Sequence, residues 1–308
     1  MVKSECKERG DLFKRFNHEL SNEDYADEVA KAFTVAQFNH KEAFVSEIKA
    51  RIKDLVLSAS TLNSYMNCPR SFLYSYILQI PVAEGDMEQA NYGSAVHKTL
   101  EWAIKEAKEK GTYPVQGDLI NTFNKKLGNQ KFDSQLKRTE YEKRGSNSLG
   151  NYYPHFAQTA PDRVYATEYK LEFVPVDKYF IKGFIDRIET NNDCTYSLYD
   201  YKTGSAKPKA QIADGKNYEN YLNQLRFYKF AFEIQNVGAK VSQVGLLFVE
   251  EHERSFFATL LEEDNEYIKE KIISTYENIH NLNFDAIEYD DDKCKYCSYK
   301  QLCRLDIL

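Results

Sequence analysis

The spacing of apolar residues changes at Arg163. Ahead of it they recur every three or four positions, as on amphipathic helices; beyond it, alternating and branched runs predict strands. Leu57 to Leu62 opens the patterned part, with Ser58 or Ser60 as the N-cap of a helix through Tyr65. Pro69 punctuates the chain after Cys68, and Ser71 to Ile80, rich in aromatic and aliphatic side chains, predicts a second, largely buried helix. The clearest helix runs from Tyr92 to Lys110, where Val96, Leu100, Ala103, Ile104 and Ala107 recur at helical spacing and Gly111 ends it. Two more helices are expected over Gly117–Leu127 and Gln135–Phe156.

Val164–Val174, Tyr179–Glu189 and Thr195–Lys202 predict three strands, the last two joined into a hairpin by the Asn191-Asn192-Asp193 turn. Gly204–Gly215 is expected to be a polar loop and Tyr218–Gln235 a helix. Val244–Glu250 and Arg254–Leu261 predict a second strand pair, and Glu262–Leu282 a helix ahead of a cysteine-rich C-terminal tail. This order gives an α/β fold, a mixed sheet flanked by helices behind an N-terminal helical region. Residues 1–55 are charged and weakly patterned, with one or two short helices expected within Ala26–Phe44. They are a lead-in to the domain at 56–308. No internal repeat or low-complexity tract is present.

Composition narrows the partners. Of 308 residues, 42% are hydrophobic and 29% charged, enough for one large, well-solvated domain. No apolar run approaches a bilayer span and the start has no apolar signal region, so no membrane association is expected and the cytoplasm is the default location. The net charge of -6 argues against coating nucleic acid through bulk positive charge. It leaves room for a local basic strip, for which Lys202, Lys207 and Lys209 are candidates.

The candidate chemistry lies in Gly183-Phe184-Ile185-Asp186-Arg187-Ile188 and Tyr199-Asp200-Tyr201-Lys202-Thr203-Gly204. Alternate strand residues share a face, so Asp200 and Lys202 point the same way, and Asp186 on the neighbouring strand can face them. Two carboxylates a strand apart can hold a hard divalent cation, and a lysine beside them can orient or help deprotonate an attacking water. The bland alternative is a solvated strand face. Against it, Asp200 sits in an otherwise aromatic and apolar strand, where an unpaired carboxylate is costly.

These motifs resemble the core of RecB-like nucleases of the PD-(D/E)XK superfamily, with its restriction-endonuclease-like sheet. Three further segments, within a match spanning about residues 57 to 303, support the resemblance: Gly93-Ser94-Ala95-Val96-His97, Ala166-Thr167-Glu168, and Gln224-Leu225-Arg226-Phe227-Tyr228. The resemblance implies a Mg²⁺- or Mn²⁺-dependent deoxyribonuclease. Asp186, Asp200, His97 and the Tyr201 carbonyl would be metal ligands, and Lys202 the catalytic lysine. Glu168 would bind metal or shape the site, and Gln224 and Tyr228 would support it or touch DNA. The alternatives are a structural histidine at 97, a surface glutamate at 168, and packing or capping roles for Gln224 and Tyr228.

Cys294, Cys297 and Cys303 form a C-x2-C-x5-C tail, one ligand short of a four-thiolate site. Cys68, in Asn67-Cys68-Pro69-Arg70, stands where iron–sulfur members of this family place a distant cysteine. The pattern is similar to AddB-type helicase–nucleases and CRISPR-associated adaptation nucleases. It implies a [4Fe-4S] clasp, with zinc or free thiols as alternatives. Cys6 and Cys194 stand alone as incidental thiols. The expected substrate is DNA with a single-stranded end, cut exonucleolytically in repair or recombination, with a helicase subunit or domain as partner. Residues 1–55 would then be the end of a helicase region. No phosphate-binding loop motif occurs, so the chain carries no ATPase motor of its own. The competing reading is a non-catalytic DNA-binding scaffold of a helicase complex.

Overall fold

The alternating segments beyond Arg163 build a five-stranded sheet in the order β1-β2-β3-β4-β5. The computed structural model describes residues 41–81, 87–214, 218–288, 291–295 and 297–304. In chain order its elements are α1 (Lys41–Ile52), α2 (Ala59–Asn67), α3 (Pro69–Phe72), α4 (Met87–Lys110), α5 (Gln116–Gly128), α6 (Gln135–Phe156), β1 (Val164–Val176), β2 (Tyr179–Thr190), β3 (Tyr196–Lys202), α7 (Lys209–Ala213), α8 (Glu219–Gln235), β4 (Val241–Phe248), β5 (Phe256–Ala258), α9 (Glu262–His280), α10 (Asp291–Cys294) and α11 (Lys300–Arg304). Most of the Ala26–Phe44 expectation, and Cys6, lie outside the described residues. No described helix is long and apolar enough to cross a membrane.

The chain divides into two compact units. One, residues 56–63 and 85–274, holds the sheet. Its strands β1, β2 and β3 form an antiparallel meander, β3 and β4 are parallel, and β5 returns antiparallel to β4. The parallel pair follows from the crossover through α8, since parallel neighbours need a long connection. On one face Phe227 and Tyr228 of α8 lie beneath Gly183. On the other, Tyr92, Leu100 and Ile104 of α4, Phe123 of α5, and Leu149 and Phe156 of α6 form one buried cluster with Tyr201. Ser58 caps α2 as expected: Thr61 N donates to its Oγ, and Ser58 N donates back to Thr61 Oγ1. Gly111 ends α4 at φ +74°.

The other unit comprises residues 1–55, 64–84 and 275–308. Ile48 and Ile52 of α1 are buried in it, so the end of the lead-in is a packed helix. Phe72 stacks on Phe284 at 6.5 Å, Arg70 Nε donates to Phe284 O, and Tyr299 OH donates to Ile80 O. The helix expected over Ser71–Ile80 is two short pieces: α3, then a π-helical turn, Leu73–Ile77, closed by Leu78 N on Leu73 O.

Two sheet-side expectations need correction. The Gly204–Gly215 loop contains the short helix α7. The strand expected from Arg254 begins only at Phe256, because Arg254 closes a 3-10 turn, His252–Arg254, with its guanidinium on Glu251.

Gly145 provides a test of packing within α6. Helix propensity alone favours Gly145→Ala by about 1 kcal/mol. A Cβ there would lie 2.1 Å from Cζ of Phe123, a fully buried ring. Overpacking a core costs roughly 1–3 kcal/mol, and a ring held on all sides cannot yield cheaply. Gly145→Ala is therefore expected to lower stability in urea denaturation; an unchanged or raised midpoint would show that the ring relocates.

Candidate active site

The site forms where two strands part. The β2–β3 register runs from Thr190↔Tyr196 to Arg187↔Tyr199 and stops there. In the fork beyond, Asp186 Oδ2 accepts the Tyr201 N–H at 2.7 Å, taking the place of a strand carbonyl. Its other oxygen, Oδ1, lies 3.2 Å from His97 Nδ1. Asp186 thus ties helix α4 to β3. The Gly93 spacing in α4 now has a reason. Gly93 and His97 are one turn apart, and a Cβ at Gly93 would stand 3.1 Å from Thr203 Oγ1. The small residue lets the helix approach the chain just after Lys202, and the next turn delivers the imidazole.

Glu168 completes the group. One ligand atom each from His97, Glu168 and Asp186 falls within 4.8 Å of the others. Glu168 has φ +48°, a left-handed backbone unusual for a residue with a side chain. Such strain persists only where the surroundings impose it, and it tends to accompany function.

Asp200 and Lys202 share a face toward α8, where Asp200 is buried. Lys202 Nζ lies 2.8 Å from Asp200 Oδ2 and donates to Gln224 Oε1 at 2.7 Å. Gln224 Nε2 donates to Asp200 Oδ1 at 2.8 Å and to Tyr228 OH at 2.9 Å. The i, i+4 pair on α8 therefore braces the Asp200 carboxylate. Asp200 stands outside the gathered triplet because Lys202, Gln224 and Tyr228 hold it. Its Oδ2 is buried, with the Lys202 ammonium as its partner.

Electrostatics follow from this crowding of acids. Burial pushes the Glu168 carboxyl up to about 7, and Asp186 adds to it. Burial opposes an imidazolium at His97, but its hydrogen bond and ion pair with Asp186, helped by Asp200 and Glu168, outweigh that and hold it at about 9. Burial likewise opposes charge on Lys202, yet the Asp200 carboxylate keeps it an ammonium. Burial pushes Asp200 up against the pull of Lys202, and Asp186 reinforces the rise. Two carboxylates and an imidazole, those of Glu168, Asp186 and His97, with one ligand atom of each within 4.8 Å of the others, fit a hard divalent ion such as Mg²⁺ or Mn²⁺.

A pH prediction follows. In the ion-free protein both shifts are upward. His97 contributes stability that is full below its ordinary value of 6.5 and is lost as pH rises through about 9. Glu168, raised from 4.5 to about 7, costs stability as pH climbs through that window. Metal-stripped protein should therefore lose thermal stability from mildly acidic to alkaline pH. Mn²⁺ affinity should rise about tenfold per pH unit between about 7 and about 9, where Glu168 is already ionised and only His97 must release its proton. A pH-independent affinity across that window would contradict the assignment of these ligands.

Several contacts had no signal in the sequence. Arg144 of α6 donates to both oxygens of Glu250, to Gln89 Oε1 and to Thr203 O, pinning the chain after Lys202. Tyr221 lies 5.1 Å beneath the Lys202 ammonium. Tyr221 stands one turn before Gln224, the spacing that could have revealed it. Arg187, beside Asp186, is buried on Glu189 and over Phe156. Of the expected basic strip, Lys202 lies on Asp200, Lys207 over Tyr218, and Lys209 reaches Glu253 O.

Within the second unit, Cys68, Cys294, Cys297 and Cys303 line one cavity of about 220 Å³. Cys68 caps α3, its Sγ accepting from Ser71 N. Burial pushes the Cys297 and Cys303 thiols up. The expected clasp is not formed: among the described residues no three of these sulfurs gather within 4.8 Å of one another. Cys194 is exposed.

No curated protein matches this chain. Among solved structures, one titled "Crystal structure of SSO0001" is similar at 14% identity and a TM-score of 0.39, covering 84% of this chain and 92% of that one. The PD-(D/E)XK nuclease superfamily matches residues 56–304, a stretch that contains the carboxylate fork and Lys202. The chain therefore belongs to the PD-(D/E)XK nuclease superfamily.

Proposed function

We propose that this protein is a Mg²⁺- or Mn²⁺-dependent deoxyribonuclease whose centre is the β2–β3 fork. The observation that carries the reading is the convergence of His97, Glu168 and Asp186 beside the Asp200–Lys202 pair. His97, Glu168, Asp186, Asp200 and the Tyr201 carbonyl would hold the ion. When bound, it would supply Lewis-acid stabilisation of phosphate charge and acidify a water. Lys202 presents an ammonium to orient that water and meet charge on the scissile phosphate. Gln224 fixes both Lys202 and Asp200, so the two charges keep one geometry without an ion. Tyr228 closes the site on the α8 side. His97 guards the α4 side through Asp186.

Action at a DNA end, exonucleolytically and with a helicase in repair or recombination, rests on the motif resemblance to RecB-like nucleases, as does the division into a lead-in over 1–55 and a domain over 56–308.

The functional test is cleavage of end-labelled single- and double-stranded DNA by metal-stripped protein. Cleavage should return with Mg²⁺ or Mn²⁺. Full activity in excess chelator would refute the reading, and the fragment ladder separates exonucleolytic from internal cutting.

A further inference from the structure

Lys202 stands at a weakly held place in the sheet. It is the last residue of β3. The β2–β3 register stops at Arg187↔Tyr199, and beyond it the ladder continues on the β4 side as far as Lys202↔Phe248. Val249 N then donates to Lys202 O at 3.0 Å. Strand ends with few backbone bonds are among the first parts of a fold to open. Gln224, Asp200 and Tyr221 hold the ammonium. A charge on a flexible four-carbon stem keeps one position only when the backbone that carries it is held as well.

The first carbonyl past the strand, that of Thr203, is gripped by two helices of the same unit. Arg144 Nη2 of α6 donates to Thr203 O at 3.2 Å, and Gln89 Nε2 of α4 donates to it at 3.1 Å. Gln89 is fixed in turn, its Oε1 accepting from Arg144 Nη1 at 3.2 Å. Just past β4, Glu250 accepts from Arg144 Nε with both oxygens, at 3.0 and 3.1 Å, and accepts the Tyr92 hydroxyl at 3.1 Å. The guanidinium lies 4.8 Å over the ring of Tyr92, a fully buried side chain.

A guanidinium is a rigid planar fork, so each of its donors has a fixed direction. With Glu250 and Tyr92 setting its plane, Arg144 offers Thr203 O one position. Thr203 is only half-buried, and water alone could satisfy its carbonyl. The Arg144 side chain is itself 37% exposed, and ion pairs near the surface add little to stability. What the network supplies is therefore position, at the residue next to Lys202. Among the described residues, Arg144 makes no hydrogen bond or ion pair with His97, Glu168, Asp186, Asp200 or the Lys202 side chain.

We infer that Arg144 is a positioning residue of the cleavage reaction: with Gln89 and Glu250 it holds the end of β3 through Thr203 O, and so fixes where the Lys202 ammonium stands. This rests on the proposed nuclease reading and adds to it a residue that acts on the reaction through Lys202 alone.

The test uses the full chain and Mn²⁺-dependent cleavage of end-labelled DNA. Arg144→Met/Glu250→Gln removes the guanidinium together with the carboxylate it would leave unpaired, and keeps an acceptor oxygen for Tyr92. Its kcat should fall about 10- to 100-fold, the scale of a misplaced reacting group. KM for DNA and Mn²⁺ affinity should stay within about twofold of wild type. Arg144→Lys keeps the charge, loses the fork and should be as slow. The deciding arm repeats the two substitutions in a Lys202→Met background, where they should cost less than about twofold more, since the group they position is gone. An equal cost in both backgrounds overturns the proposal. So does a near-wild-type kcat, or a loss of activity that tracks a loss of Mn²⁺ affinity. Amide exchange at Val249, followed by NMR without metal, reads the strand end independently of cleavage and should quicken about tenfold in the double variant. Unchanged exchange there also overturns the proposal. If wild-type protein cuts no DNA while that exchange still quickens, the nuclease reading fails and the hold of Arg144 on Lys202 stands.

Discussion

Lys202→Met is expected to lower metal-dependent DNA cleavage by about 10²- to 10⁴-fold, the range typical of a lost acid–base group. Methionine keeps the length of the aliphatic stem and removes the ammonium, which is held 2.8 Å from Asp200 and 2.7 Å from Gln224. Gln224 and Tyr228 still hold Asp200 Oδ1, so the carboxylate keeps two partners. Metal affinity should accordingly survive in a variant whose circular dichroism matches the wild type. The variant then separates chemistry from ion binding: Mn²⁺ binds, and DNA is not cut. Near-normal cleavage by a folded Lys202→Met protein would remove the lysine from the mechanism.

Asp186→Ala is expected to abolish cleavage and to cost stability as well. One carboxylate serves both the imidazole of His97 and the peptide of Tyr201. Without it the Tyr201 N–H loses its acceptor in the strand fork, a loss of about 1–3 kcal/mol for a buried donor. His97 at the same time loses the partner that holds it at about 9 and should titrate nearer its ordinary value. Asp186→Asn keeps an acceptor oxygen and gives up the charge. It should recover most of the urea midpoint while remaining unable to bind Mn²⁺. If Asp186→Asn bound Mn²⁺ like the wild type, the fork would not be the ion site.

The parts of this site that were legible in the sequence are those set by local periodicity. Asp200 and Lys202 share a face because strand residues alternate, and Gln224 and Tyr228 meet because they are four apart on α8. The α/β order was readable for the same reason, as the apolar period changes near Arg163. What stayed hidden depends on geometry between distant segments. Nothing in the sequence around Glu168 announces a left-handed backbone, yet that torsion brings its carboxylate into the triplet. Asp186 was expected to face Asp200 across a regular hairpin; instead the strands part, and its oxygens reach α4 and the β3 peptide. The contact of Gly145 with Phe123, and the reach of Arg144 to Glu250 and Thr203, join residues tens of positions apart and leave no periodic trace. The five residues of α7 are too few to show a helical repeat in the sequence.

The measurement that bears most directly on the account is anomalous X-ray scattering from crystals of the wild-type protein equilibrated with Mn²⁺ above pH 7. The account predicts a peak in the β2–β3 fork, in contact with the carboxylates of Asp186 and Asp200. A protein that cuts DNA with Mn²⁺ while this fork holds no scatterer, the peak standing elsewhere, would contradict it.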